Sequence, residues 1–269
     1  MAQQFKLSIL GAGNIGTAIA DGLLDSGALS PQHLTLTRRH TTRLASYAER
    51  GVQVISDNSK ALADSDVLLI AVEPQQVDEL LTEIRPHLKP EHTLISIVTG
   101  VSIDRIRQAV GTDNPVVRAM PNTAIALRES VTCLASTDAE APLEIAQNIF
   151  DQLGETVVID EELMGAATAL GACGIAFFLR AIRAASQGGI EIGFHSNKAL
   201  RIAAQVAKGA AELILEKGEH PESEIDRVTT PRGVTIAGLN QMEHEGFSSA
   251  MIKGIVTSAE KAQGVYKKD

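Results

Sequence analysis

The chain has 269 residues, and its 44% hydrophobic and 21% charged residues are typical of a folded globular protein. Its formal net charge of −9 argues against nucleic acid or an anionic membrane surface as a partner. Cys133 and Cys173 lie far apart with no CxxC pattern, which predicts free thiols in a reducing compartment, without a disulfide or a metal site. We find no signal peptide and no stretch as long as a transmembrane helix, so a cytoplasmic protein is expected.

Short apolar runs alternate with helical stretches over the first half of the chain. The runs predict strands at Lys6–Leu10, Leu34–Thr37, Val52–Ser56, Asp66–Val72, Thr93–Val98, Pro115–Arg118 and Val131–Ala135. Helices are predicted at Asn14–Ser26, Val77–Ile84 and Ser102–Ala109. This alternation predicts an α/β, Rossmann-like, doubly wound parallel sheet.

The second half has a different character, and no strand is predicted from Glu161 to Tyr266. Helices are predicted at Glu161–Gly171, Ala176–Gly193, Lys198–Lys217 and Phe247–Tyr266. The segment Ala176–Ala185 is apolar around most of its circumference, which predicts a helix at the centre of its domain or between subunits. We therefore predict a Rossmann domain over residues 1–158 and an all-helical dimerisation domain over residues 159–269.

The first motif with a chemical meaning is Gly11-Ala12-Gly13-Asn14-Ile15-Gly16, which fits the dinucleotide-binding pattern G-x-G-x-x-G. It follows a predicted strand and opens a predicted helix, so free N–H groups and the positive end of the helix dipole are available to a pyrophosphate. Gly11 permits the tight turn, Gly13 lets the phosphates approach the backbone, and Gly16 lets the helix pack closely on the strand. The alternative is a glycine-rich structural turn.

The end of the second predicted strand indicates which dinucleotide is bound. NAD-binding folds usually place an acidic residue there to hold the ribose 2′-hydroxyl, whereas this chain has Thr37-Arg38-Arg39. Guanidinium groups bind a phosphate in a bidentate manner, so Arg38 and Arg39 favour NADP(H), with NAD(H) bound less well. Two solvated surface arginines are the alternative.

Further motifs match one family over nearly the whole chain. They are Asn58 in SDN, Ala71-Val72-Glu73-Pro74, the RxMPNT match at Arg118–Thr123, Glu161 and Glu162 before the first helix of the second half, His220-Pro221, and Val228–Ile236. With these motifs the sequence resembles pyrroline-5-carboxylate reductase. The resemblance implies NADPH-dependent reduction of the cyclic imine Δ1-pyrroline-5-carboxylate to proline. It also implies cofactor contacts at Asn58 and Ala71–Pro74, and homodimers that interlock their C-terminal helices and often assemble further.

The resemblance also implies where the substrate binds. The loop Thr230–Thr235 supplies backbone N–H groups and hydroxyls to the substrate carboxylate, so Gly233 and Val234 are predicted substrate-binding residues. Arg232 replaces the first glycine of the family's S-P-G-G, so the loop is expected to need φ values that arginine tolerates poorly. Its side chain is alternatively a candidate to bind the carboxylate directly. Asn122 follows the RxMPNT strand at a sheet edge where ligands bind, although a turn after a strand is the alternative.

Three residues are candidates for catalysis by the same resemblance: Thr235, Thr230 and Glu161. The hydroxyl of Thr235 corresponds to the family's group near the imine nitrogen, and we expect hydrogen bonding first and acid catalysis second because a free hydroxyl is a poor acid. The alternative for Thr235 is a helix N-cap. For Glu161 it is a favourable charge at a helix start.

The sequence departs from the family pattern mainly in its substrate half. Glu73 stands where the family normally has Lys, Arg232 where it has Gly, and Arg183 where it often has an acidic residue. The segment Gly171–Phe177 lacks a serine and a proline of the family motif. These departures keep two alternatives open: a paralogous reductase with a different imine or carbonyl substrate, and a sensor that binds NADP(H) without turnover.

Overall fold

The computed structural model describes residues 5–138 and 140–266, with the backbone alone for residues 264–266. By its internal contacts the chain divides into two compact units. The first comprises Met1–Ala172 together with Ser258–Asp269, and the second comprises Cys173–Thr257. The predicted domain boundary between residues 158 and 159 stays a prediction.

One sheet dominates the first unit. Its strands are β1 (Leu7–Leu10), β2 (Leu34–Thr37), β3 (Gln53–Ile55), β4 (Val67–Ile70), β5 (Thr93–Ser96), β6 (Val116–Met120), β7 (Ser130–Ser136) and β8 (Gly154–Val158). Their order across the sheet is β3-β2-β1-β4-β5-β6-β7-β8. The first six follow the usual 3-2-1-4-5-6 order of the Rossmann fold and are parallel, which confirms the predicted α/β class.

The α-helices surround this sheet and form the second unit. In chain order they are α1 (Asn14–Asp25), α2 (Ala45–Glu49), α3 (Asn58–Ala61), α4 (Val77–Ile84), α5 (Ile103–Val110), α6 (Glu140–Phe150), α7 (Met164–Ala167), α8 (Gly174–Glu191), α9 (Ser196–Lys217), α10 (Pro221–Val228), α11 (Val234–His244) and α12 (Phe247–Tyr266). Local chemistry explains several of their ends. The hydroxyl of Ser102, for example, accepts the amide of Arg105 at the start of α5, and Gly111 ends that helix with a φ of 62°.

The core of the first unit lies on both faces of the sheet. Leu7 and Ile9 of β1 point into one hydrophobic cluster, whereas Leu10 points into another on the opposite face. Both clusters are fully buried because helices cover the sheet on each side. The continuous apolar runs of the central strands are therefore explained by burial on two faces.

The structure differs from the sequence prediction at the far edge of the sheet. β7 pairs with β6 in the antiparallel direction, and β8 was not predicted. β8 is an edge strand whose residues remain largely exposed, so it lacks the continuous apolar pattern that identified the central strands. The helices α2, α3, α6, α10 and α11 were also missed.

The second unit contains helices joined by short turns and no strand over Cys173–Thr257, as predicted. α8 packs against α9, and Gly189 lies so close to α9 that a Cβ on it would meet the Cβ of Ala199 at 3.0 Å. Little of this unit is buried within the single chain, since the buried residues of α8 and α9 are Gly174, Ser186 and Ala199. Large apolar side chains such as Phe178 and Val206 are exposed.

The helical stretch Glu161–Glu191 is long and apolar enough to cross a membrane by length and composition, with a mean hydropathy of 1.6 in its most apolar window. The expectation that no stretch has this length was therefore wrong. Only 28% of that window is buried within the chain. A helix covered by a second subunit has the same composition, so length and composition alone do not indicate a membrane span.

Candidate cofactor cleft and substrate loop

The glycine-rich turn between β1 and α1 has the geometry expected of a dinucleotide site. Gly11 has a φ of +93°, and a Cβ on it would lie 2.6 Å from Cγ1 of Val72. A Cβ on Gly16 would lie 3.1 Å from Cγ2 of Ile9, so this glycine allows α1 to pack on the sheet. The backbone of Gly11 therefore requires glycine, whereas Gly16 sits where a side chain would crowd its neighbours.

Gly13 is different, because the protein leaves space around it. Its φ is −84°, and a Cβ there would meet nothing closer than the carbonyl of Gly11 at 3.9 Å. Gly13 is also the N-cap of α1, with no side-chain cap and no acidic residue in the first turn. An open backbone at the positive end of a helix fits an anionic pyrophosphate.

A cleft of about 490 Å³ lies at this turn. Of the predicted cofactor residues, the cleft is lined by Gly11, Gly13, Arg38, Arg39, Asn58, Ala71, Val72 and Glu73. Ala12, Asn14, Ile15, Gly16 and Pro74 do not line it. The lining residues that the sequence prediction missed are Thr37, His40, Ser56, Gln76, Glu79, Leu80 and Glu83.

The two arginines after β2 differ in their contacts. Nη1 of Arg38 donates to the carbonyl of Ala12 at 2.9 Å, so this side chain folds back over the glycine turn. Arg39 is mostly exposed, and its Nη2 lies 3.3 Å from Oε2 of Glu79 on α4. Arg39 is therefore the better placed of the two to meet a phosphate that enters the cleft.

A chain of hydrogen bonds connects the glycine turn to α4. The amide of Gly11 donates to Oγ1 of Thr37 at 3.0 Å, and that buried hydroxyl donates to Oδ1 of Asn58 at 2.6 Å. The side-chain amide of Asn58 donates in turn to Oε2 of Glu83 at 2.8 Å. The position of Thr37 directly before the two arginines could have identified it as a residue of the cofactor cleft. The contacts of Glu79 and Glu83 could not be found in this way, because they depend on how α4 packs.

Asn122 is buried, and its side chain is used within the protein. Its Oδ1 accepts the amide of Ala124 at 2.9 Å, and its Nδ2 donates to the carbonyl of Gly171 at 3.4 Å. The first of these bonds caps the short 3-10 helix that follows β6, and the second ties that turn to Gly171. They favour the turn-forming role of Asn122, and its contact with substrate stays a prediction.

Glu161 forms a structural contact between three segments. Its Oε1 accepts the amide of Ile103 at the start of α5 at 2.8 Å, and lies 2.9 Å from Nη1 of Arg118 on β6. Only 4% of the Arg118 side chain is exposed, so the pair is largely shielded from water. These contacts favour a structural role for Glu161, and its catalytic role stays a prediction.

The predicted substrate loop is a tight turn in the second unit. The amide of Gly233 donates to the carbonyl of Thr230 at 2.8 Å across Pro231 and Arg232. Arg232 has a φ of 60°, and proline at the preceding position identifies a type II turn. This turn type favours glycine where Arg232 stands, in agreement with the expected conflict between arginine and the loop conformation.

Gly233 ends the turn and begins α11. A Cβ on it would lie 2.5 Å from Oγ1 of Thr230, so only glycine fits here. Gly233 is the N-cap of α11 and provides no side-chain cap, while Val234 and Thr235 form the first turn of the helix. Thr235 is therefore not the N-cap, and this alternative is wrong. The exposed loop presents a guanidinium, two hydroxyls and uncapped N–H groups, a set suited to a carboxylate.

Comparisons with known proteins agree with these geometries. Residues 161–265 match the family described as pyrroline-5-carboxylate reductase dimerisation, and residues 6–100 match the family described as NADP oxidoreductase, coenzyme F420-dependent. The chain has a dimerisation domain of this family.

Two relatives come from Dictyostelium discoideum. Pyrroline-5-carboxylate reductase 1 is 50% identical over 97% of this chain, which spans about half of that relative's length (50%). Pyrroline-5-carboxylate reductase 2 is 49% identical over 96% of this chain and 92% of its own length. The solved pyrroline carboxylate reductase of Plasmodium falciparum, with NADP bound, is 24% identical, covers 99% of this chain and 100% of that one, and has a TM-score of 0.88, which shows a shared fold. The resemblance found in the motifs is confirmed, and the chain belongs to the pyrroline-5-carboxylate reductase family.

Proposed function

We propose that this chain reduces Δ1-pyrroline-5-carboxylate to proline with NADPH, as an oxidoreductase of proline biosynthesis. The observation that carries the proposal is the 49% identity to a pyrroline-5-carboxylate reductase over nearly the full length of both chains. The open glycine turn and the cleft beside it support the cofactor half of the proposal.

The first unit holds the cofactor in this proposal. The backbone at Gly13 and the N-terminus of α1 bind the pyrophosphate, Arg39 binds the 2′-phosphate, and Asn58 contacts the adenosine. When bound, NADPH would supply the hydride that reduces the carbon of the C=N bond, while the nitrogen already carries its proton as the iminium or gains one from water. NADH is accepted less well, because it lacks the phosphate that an arginine recognises.

The second unit holds the substrate. The N–H group of Val234 and the hydroxyl of Thr230 bind the carboxylate, Gly233 lets it approach the backbone because it has no side chain, and Arg232 adds a charged partner. The hydroxyl of Thr235 hydrogen-bonds the imine nitrogen and orients it, since an ordinary threonine hydroxyl is too weak an acid to serve mainly as a proton source.

The active form is a homodimer built through the C-terminal helices. Exposed apolar side chains on both α8 and α9 support this part of the proposal, because a contiguous apolar surface in water marks an interface. As the family resemblance implies, these dimers assemble further into rings in this proposal. A cytoplasmic location accords with the free thiols Cys133 and Cys173.

The test is a direct assay of turnover. Purified protein is mixed with NADPH and Δ1-pyrroline-5-carboxylate, the loss of reduced-nicotinamide absorbance is followed, and NADH is run in parallel. We expect faster turnover with NADPH. Replacement of Thr235 by Ala should lower kcat by about tenfold to a hundredfold, whereas Thr235→Ser keeps the hydroxyl and most of the activity. No turnover despite tight NADPH binding would overturn the proposal in favour of another imine substrate or a sensor.

The cofactor site has its own test in Gly13. Its φ is negative and a Cβ there has room within the protein, so Gly13→Ala should fold with wild-type stability. The added methyl group occupies space assigned to the pyrophosphate and should raise the Kd of NADPH at least about tenfold. Unchanged affinity in a folded Gly13→Ala protein would contradict this assignment.

A further inference from the structure

We propose that Glu79 sets how strongly this chain prefers NADPH over NADH, because its carboxylate competes with the 2′-phosphate for Arg39. This inference rests on the proposed function and extends it to a residue that no sequence motif marks. It concerns cofactor selectivity, so it is tested by binding and does not need turnover.

The cleft contains one arginine whose guanidinium is directed to another side chain. Arg38 is engaged by the carbonyl of Ala12, and Arg39 is the arginine that faces a carboxylate, at 3.3 Å from Glu79. Both side chains of this pair line the cleft and are mostly exposed, at 69% for Arg39 and 75% for Glu79. A phosphate that binds Arg39 must therefore displace Glu79 or lie beside it.

α4 directs two carboxylates at the adenosine end of the cleft. Glu79 and Glu83 are one helical turn apart, so they share a face of the helix, and both line the cleft. Glu79 contacts Arg39, while Glu83 accepts two hydrogen bonds from Asn58, one from its side chain and one from its backbone amide. Glu79 thus contacts Arg39, which we assign to the 2′-phosphate, and Glu83 contacts Asn58, which we assign to the adenosine.

The chemistry of the two cofactors makes this arrangement selective. A 2′-phosphate is repelled by a carboxylate, whereas the 2′-hydroxyl of NADH can donate a hydrogen bond to one. NAD-binding folds place an acidic residue at the end of β2 for this purpose, and this chain has arginines there. Glu79 brings a carboxylate to the same place from α4, so it weakens NADPH binding and supports NADH.

The effect is expected to be moderate. An exposed ion pair contributes little, and a doubly charged phosphate attracts a guanidinium more strongly than a single carboxylate does, so NADPH still displaces Glu79. Glu79→Gln should raise the ratio of Kd for NADH to Kd for NADPH by about fivefold at low ionic strength. Because both groups are exposed, this gain should shrink in about 1 M salt.

The experiment is a titration of the full chain with NADPH and with NADH, followed by nicotinamide fluorescence. The variants are Glu79→Gln, Arg39→Gln and the double variant. If Glu79 acts through Arg39, its gain of about fivefold should fall to about twofold or less when Arg39 is already replaced. If Glu79→Gln changes the Kd ratio equally with Arg39 present and with Arg39 replaced, Glu79 does not act by competing for Arg39.

Asp78→Asn is the matched control. It removes the same charge from the neighbouring residue of α4, but Asp78 does not line the cleft and lies 2.9 Å from Arg105. We expect its ratio of Kd for NADH to Kd for NADPH to equal that of the wild type. An unchanged ratio in Glu79→Gln, or an equal change in Asp78→Asn, overturns the inference. If neither cofactor binds the wild-type chain, the proposed function fails instead.

Discussion

The two units of this protein bury their apolar residues to very different degrees. In the first unit the central strands of the sheet are covered on both faces, and residues such as Ile9 and Leu69 are wholly buried. In the second unit, the side chain of Phe178 is 64% exposed and that of Val206 is 65% exposed. The first unit thus completes its own core, whereas the second leaves large apolar side chains exposed on its surface.

Different contacts also determine the backbone geometry of the candidate site in each unit. In the first unit the glycine turn is determined by contacts inside the chain and by the space left for a ligand. In the second, the substrate loop is an exposed turn held by one backbone hydrogen bond and by the fit of Gly233 against Thr230. We therefore expect substitutions in the helical unit to act mainly through assembly, and substitutions in the sheet unit to act through folding and cofactor binding.

The strongest test of the contrast is to place a charge on the apolar surface of α9. Val206→Asp should convert the dimer to a monomer and lower the free energy of unfolding by about 3 kcal/mol or more, because a buried unpaired charge is costly. Light scattering after gel filtration and chemical denaturation measure both effects. Gln205→Asp adds the same charge at the neighbouring polar residue and should be much milder. A dimeric Val206→Asp protein with wild-type stability would show that no partner covers this surface.

The next test concerns the buried ion pair of the first unit. Glu161→Gln removes the charge from the carboxylate that pairs with the buried Arg118 and should lower the free energy of unfolding by about 3 kcal/mol, while kcat of the folded protein stays within about twofold. Denaturant unfolding and steady-state kinetics are compared with Glu162→Gln, which changes an exposed neighbour. A stable Glu161→Gln protein with strongly reduced kcat would support the predicted catalytic role instead.

A smaller effect is expected at the glycine turn. Gly11→Ala forces a side chain into a φ of +93° and against Val72, so it should destabilise the protein by about 1–3 kcal/mol and weaken NADPH binding. Gly27→Ala is the control, since Gly27 also has a positive φ but a Cβ there meets nothing within 4 Å. The control should lose some stability and no cofactor affinity. Equal losses of affinity in both variants would contradict a specific role for Gly11.

The smallest effect is expected at Arg232. Arg232→Gly relieves a left-handed conformation but adds flexibility to the unfolded chain, so a gain of only about 0.5 kcal/mol is expected. If Arg232 binds the substrate carboxylate, KM for the imine should rise about tenfold. Arg128→Gly, at the other non-glycine residue with positive φ among those described, should leave KM unchanged. An unchanged KM in Arg232→Gly would exclude Arg232 from the substrate site.

Much of the first unit was predictable because local signals and the global fold agree there. The strand β2 and the helix α4 begin and end where the sequence pattern placed them, since each combines a clear apolar period with turn residues at its ends. The orientation of β7 was not predictable, because no local pattern of residues determines whether a strand runs parallel or antiparallel to its neighbour. β8 was missed for a related reason, as an exposed edge strand has little apolar signal.

The candidate sites also combine features that the local sequence predicts with contacts that it does not predict. The sequence by itself determined the family, the glycine turn, the arginines after β2 and the strain at Arg232, because each of these depends on residue type at a fixed local spacing. Only the tertiary structure decided that Arg38 folds onto Ala12, that Glu79 meets Arg39, and that Glu161 pairs with a buried arginine. These contacts join residues between 26 and 43 positions apart, and their partners are selected by the packing of helices on the sheet, which no local pattern encodes.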